Sequence, residues 1–152
     1  MNCDNRLIGR TAENTFLAIL NQKGIFATSF DTEGFDGIIF DHDHKYFKGG
    51  KSPYYTQIKC RGSKNKDYST QGHNEATIQK IKKIAIDLRI DEKSAYFTVG
   101  FFRHNDIRTL QFYSIPLSHL IQFKGKNSQY RFSVERCEQA IATQRKPDIV
   151  KI

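Results

Sequence analysis

No stretch of this 152-residue chain approaches the roughly 20 consecutive apolar residues of a membrane-spanning helix. Asp4, Asn5 and Arg6 precede the first apolar cluster, where a signal peptide would carry its apolar segment. Cysteine is scarce: Cys3, Cys60 and Cys137 are widely spaced and odd in number. That disfavours a disulfide framework and the paired-cysteine spacing of structural zinc sites. All three read as free thiols in a reducing, cytoplasmic compartment. Three prolines and ten glycines leave little linker, and no repeat divides the chain. Residues 1–144 therefore read as a single domain and 145–152 as a loose C-terminal tail. No Ser/His/Asp set and no phosphate-cradling glycine loop can be assembled from these residues.

Positive charge is in excess. Net charge is +8, and no acidic residue lies between His44 and Lys66. Lys45, Lys48, Lys51, Lys59, Arg61, Lys64 and Lys66 all fall in that interval. Clustered cations favour a polyanionic partner, because each neutralised phosphate releases condensed counterions. Lys45, Lys48, Lys51, Arg61, Lys64 and Lys66 are accordingly the candidate nucleic-acid contacts. A solvated hairpin and loop is the bland alternative for such a run. Apolar residues at 38% and aromatics at 12% exclude a disordered chain, and the length suits one core rather than two.

Ile8, Ala12, Phe16, Leu17, Ile19 and Leu20 recur at helical spacing, so residues 8–23 read as an amphipathic helix stopped by Gly24. Strands follow at 25–30, 35–40 and 54–61, the last two joined by a polar hairpin connection. A polar loop covers 62–73, and a second helix runs from an Asn74 cap to Arg89. Strands at 95–103 and 108–115, a turn at Pro116, a short helical segment at 117–122 and an edge strand around 130–134 come next. A short helix at 135–143 closes the series. The order αβββαββ predicts an α/β protein with a central mixed β-sheet flanked by helices.

Two residues sit awkwardly in this pattern. Alternation along 54–61 puts Ile58 and Cys60 in the core and projects Gln57 and Lys59 together on the other face. A lysine between core residues needs an anionic partner, and Asp36, opening the neighbouring strand, can supply it. Glu13 shares its helix face with Phe16, Leu17 and Leu20. A carboxylate there either complements the helix dipole or points at a metal-bearing sheet edge.

Gly9-Arg10-Thr11-Ala12-Glu13, then Leu20 with Gly24, then Asp36 and Gln57-x-Lys59, resemble the PD-(D/E)xK nuclease superfamily. Archaeal Holliday-junction resolvases and small group I intron-encoded endonucleases are its most similar members. The resemblance spans about the first 61 residues and implies a restriction-endonuclease-like core. It implies that Asp36 binds a metal directly, Gln57 through its amide oxygen and Ile58 through its carbonyl. Glu13 would act through water or hold a second ion, and Lys59 would orient the attacking water or stabilise charge on the scissile phosphate. Mg²⁺, with Mn²⁺ as a substitute, suits such oxygen donors. The implied function is an endodeoxyribonuclease of homing, restriction-like or junction-resolving type, acting on duplex or branched DNA as a homodimer. Phe35 stands where the family has proline, and Gln57 where it more often has glutamate, which removes one negative charge from the site.

Asp41-His42-Asp43-His44 looks like a metal cluster but reads better as a hairpin turn. Gly72-His73-Asn74 reads as a loop entering a helix cap, and Tyr54, Tyr55 and Tyr68 as half-buried aromatics or base-stacking platforms. The rival functions are a catalytically degenerate relative that binds nucleic acid without cutting, and a protein whose basic surface docks an acidic partner.

Overall fold

The computed structural model describes residues 5–143 and 148–152. Helix α1 (Asn5–Gln22) buries Ala12, Phe16, Leu17 and Leu20, the stripe expected from its spacing. Gly24, with φ of 83°, turns the chain out of the helix. The Asn21 side chain then ties the helix end to the first strand. Its Nδ2 donates to Leu17 O and Ala27 O, and its Oδ1 accepts from Ala27 N.

Strands β1 (Phe26–Thr32) and β2 (Phe35–Phe40) form an antiparallel hairpin, and β3 (Tyr54–Gly62) pairs antiparallel with β2. The chain then crosses over through β4 (Gln71–Asn74) and α2 (Glu75–Asp87) to β5 (Ala95–Arg103), which runs parallel to β3. Asn74 caps α2 by accepting from Thr77 N at 2.8 Å. Strand β6 (Asp106–Pro116) returns antiparallel to β5. After a 3₁₀ segment at Leu117–Phe123 come β7 (Gln129–Phe132), α3 (Val134–Thr143) and β8 (Val150–Lys151). The main sheet has six strands in the order β1-β2-β3-β5-β6-β8.

Each face of that sheet has its own core. Against α1 lie Ile39, Tyr54, Ile58, Tyr96 and Phe112. Against α2, the 3₁₀ segment, β7 and α3 lie Phe97, Val99, Phe101, Tyr113 and Ile115. Strand β5 is buried on both faces from Ala95 to Phe101, which explains its nearly unbroken apolar run. The hydroxyls of Thr56, Thr98 and Ser114 pair within this interior and link three strands at 2.6 and 2.7 Å.

Five sequence expectations are corrected. The polar loop at 62–73 ends in a strand, since Gln71–Asn74 pairs with Gln129–Phe132 in a separate two-stranded sheet. Residues 130–134 are therefore not an edge of the main sheet. Strand β6 runs through Pro116 instead of turning there. The tail beyond 144 is not loose throughout, because Val150 and Lys151 pair with Ser114 and Tyr113 at the sheet edge; residues 144–147 lie outside the described set. Cys60, assigned to the core, is only partly buried. Cys60 and Cys137 are free thiols, and Cys3 is outside the described residues.

Candidate active site

The register of β2 with β3 ends at Gly37 opposite Thr56. Beyond that pair the strands part, and the Asp36 carboxylate fills the gap. Its Oδ2 accepts from the Ile58 backbone N–H at 2.8 Å and from Gln57 Nε2 at 2.7 Å. The Gln57 amide is nearly buried, and its nitrogen is the atom turned to Asp36. An amide oxygen there would face a carboxylate oxygen and repel it. The Gln57 oxygen is thus the atom left to meet a cation. The Ile58 side chain, at 4% exposure, anchors this stretch in the core beneath α1.

Glu13 reaches the same place from α1. Burial raises its pKa, the Asp36 carboxylate raises it further, and Lys59 and Arg10 pull it back. Burial likewise raises the Asp36 pKa, opposed by the Ile58 N–H and by Lys59. Gln57 thus bonds Asp36, and the charges of Asp36 and Lys59 both act on Glu13. Two carboxylates are crowded there with incomplete compensation.

Among the described residues no group of three or more His, Cys, Asp or Glu side chains converges. The donor set here is two carboxylates and an amide oxygen. It fits a hard divalent cation such as Mg²⁺, which prefers oxygen and accepts few protein ligands. A cation would also relieve the raised carboxylate pKa values.

The basic run splits in two. Arg61, within β3, and Lys64 and Lys66, past its end, follow Lys59 on the side of the carboxylates. Lys45, Lys48 and Lys51 lie in the β2–β3 connection, at the other end of both strands. Lys45 Nζ donates to Lys23 O at the end of α1, and the Lys51 backbone bonds Ser94 at the start of β5. Five residues of β3 separate Tyr54 from Lys59, a strand length of roughly 17 Å. These three lysines do not flank the carboxylates, because a continuous run in sequence was carried along a strand.

Gln71 and His73 were not singled out as site residues. Gln71 Nε2 donates to Gly100 O at 2.7 Å and Lys59 O at 3.4 Å, while its Oε1 lies 2.9 Å from His73 Nε2. The amide orientation makes His73 Nε2 the donor. Burial, then the charges of Lys59 and Arg61, push the His73 pKa down to about 4, so its imidazole is neutral at physiological pH. The ring packs on Phe97, the residue opposite Gln57 in the β3–β5 register. Their only sequence signal is a short polar stretch whose strand partner lies near residue 130.

Of the aromatics considered as stacking platforms, Tyr54 is fully buried against Phe47 and Tyr96. Tyr55 packs on Phe30 and Phe35, and Tyr68 lies under the Arg103 guanidinium.

A mixed sheet with α1 on one face and α2 on the other is the restriction-endonuclease-like fold. A solved structure carries the same architecture: the Archaeoglobus fulgidus protein Hjc, a Holliday junction resolvase from an archaeal hyperthermophile. The likeness covers 86% of this chain and 88% of that one, with a TM-score of 0.51 and 12% sequence identity. At that identity it is a likeness of fold. No protein-family model matches the chain, and no curated protein does. No helix among the described residues is long and apolar enough to cross a membrane.

Proposed function

We propose that this chain is a divalent-metal-dependent endodeoxyribonuclease that hydrolyses phosphodiester bonds in duplex or branched DNA. The observation that carries the reading is the meeting of Glu13, Asp36, Gln57 and Lys59 where β2 and β3 part. The fold shared with a junction resolvase supports the junction-resolving type over the homing and restriction-like types.

Asp36 would hold Mg²⁺, or Mn²⁺ in its place, with the Gln57 amide oxygen and the Ile58 carbonyl; Glu13 would act through water. The bound ion supplies Lewis-acid stabilisation of the phosphate and a more acidic water. The Ile58 N–H and Gln57 Nε2 fix the Asp36 carboxylate in one orientation. Lys59 places a positive charge beside both carboxylates, where it can orient the attacking water or stabilise charge on the phosphate oxygens. Arg61, Lys64 and Lys66 would hold the backbone on either side of the scissile bond. One such site cuts one strand, so a two-fold dimer matches the symmetry of duplex or junction.

The test is cleavage of a supercoiled plasmid and of a four-way junction, with and without Mg²⁺. Lys59→Ala and Asp36→Ala should lower cleavage by about 10²–10³-fold or more, the scale of losing one preorganised electrostatic group. Their circular dichroism should match the parent. Undiminished cutting by both purified variants removes the assignment. One observation favours the rival reading of binding without cleavage: the Gln57 nitrogen already occupies an Asp36 oxygen. That reading predicts salt-sensitive DNA binding with no Mg²⁺ requirement and no nicked product.

A further inference from the structure

A second polar site lies at the opposite end of the sheet from the carboxylates. Four separate segments build it: Lys48 and Gly49 from the β2–β3 connection, Lys93 before β5, Pro116 at the end of β6 with Ser118 and His119 beyond it, and Asp148 before β8. Together they line a cavity of about 190 Å³. That is below the roughly 300 Å³ at which pockets for drug-sized ligands begin, so the occupant is a small group.

Its charges are unevenly matched. Among the described residues neither the Lys48 nor the Lys93 ammonium has a carboxylate within ion-pair distance. The one acid, Asp148, has its Oδ2 3.8 Å from His119 Nε2. Two ammonium groups against one carboxylate leave a surplus positive charge even with the imidazole neutral.

One buried polar atom of the lining, His119 Nδ1, has no partner among the described residues. Tyr96 is wholly buried beneath Gly49. A Cβ on Gly49 would stand 3.1 Å from Tyr96 Oη and 4.0 Å from Asp148 Cβ. Burial raises the Tyr96 pKa, partly offset by a hydrogen bond from the Gly49 backbone, so its phenol stays protonated under the cavity floor. Unpaired polar atoms are rare in native interiors. An imidazole, a serine hydroxyl at the rim and two ammonium groups with no carboxylate partner among the described residues are the complement of an anionic oxygen cluster.

We propose that this cavity is a phosphate-binding site, remote from the carboxylate pair and filled by a phosphate group of a nucleic-acid backbone or by a free phosphate. It recognises the anion through Lys48, Lys93 and the His119 imidazole. Asp148 accepts a hydrogen bond from a protonated phosphate oxygen or a neighbouring sugar hydroxyl.

The test uses the full chain in EDTA, so that it stands apart from cleavage. Inorganic phosphate is titrated while backbone amide NMR signals are followed, with Lys48→Ala/Lys93→Ala as the variant; both lysines are exposed, so its fold is retained. Saturable shifts at Gly49, Lys93 and His119, weakened about tenfold or more in the double variant, are the expected result. A second arm measures the salt dependence of binding to a short duplex. A log–log slope shallower by about 0.9 per lysine removed assigns the site to a backbone phosphate. An unaltered slope beside lost phosphate binding assigns it to a free phosphate. Absence of saturable shifts at those residues in the parent chain overturns the proposal, as does equal phosphate affinity in the double variant.

Discussion

Strand β2 is bracketed by two aspartates that the fold treats in opposite ways. Asp41, just past its end, is buried, which alone would raise its pKa; hydrogen bonds from the Phe47, Tyr46 and Lys45 backbone amides and the charge of His44 outweigh that and hold it below its ordinary value. Asp36, at its start, receives one backbone amide and one side-chain amide, and burial holds it above its ordinary value against the pull of the Ile58 N–H and Lys59. The first is a structural acid whose lone pairs organise a loop. The second is left with an unmet demand for positive charge, as a group that meets a cation should be. Residue type alone does not separate them; the number of donors aimed at each does.

The sharpest way to break this contrast is by exchanging the consequences of loss. Asp36→Asn should abolish Mg²⁺-dependent cleavage while leaving the fold intact. Asp41→Ala should leave three backbone amides unsatisfied and cost about 3 kcal/mol of stability in urea unfolding. If Asp41→Ala proved neutral and Asp36→Asn unfolded the chain, the two roles would be reversed.

A smaller effect concerns the ion. Mg²⁺ at about ten times its dissociation constant should stabilise the parent by about 1.4 kcal/mol, and Asp36→Asn should show no such gain in thermal unfolding. Equal stabilisation of both proteins would place the ion elsewhere.

The smallest effect is one of sign. The stability that Asp41 contributes is complete above its unfolded value of 3.8 and is lost as pH falls through its lower folded value. The deficit of Asp41→Asn should therefore shrink below pH 3.8. Asp36 carries the opposite linkage: its ionisation costs nothing below 3.8 and destabilises as pH rises through its raised folded value. Without metal, Asp36→Asn should gain on the parent as pH climbs toward neutrality. Parallel pH profiles for the two variants would erase the distinction.

Much of this was readable along the chain wherever the interactions were local. The stripe Ala12, Phe16, Leu17 and Leu20 and the Asn74 cap depend on neighbours within a turn or two, and the structure has them where periodicity and capping chemistry put them. Gln57 and Lys59 follow from alternation along a single strand. The β4–β7 pair was not readable, since Gln71 finds Phe132 about sixty residues away and neither segment has enough apolar residues to announce itself. Val150 and Lys151 are too short a strand to show any period.

The sequence by itself determined which side chains could do chemistry: an acid at the head of one strand, an amide and a lysine two apart on another, and an acid on the buried face of a helix. Tertiary structure alone decided that these meet where β2 and β3 part, while Lys45, Lys48 and Lys51 of the same basic run end up a strand's length away. Periodicity is set by covalent geometry and so survives in one dimension. Which end of a strand faces which partner is set by pairing between distant segments, and that exists only once the sheet is formed.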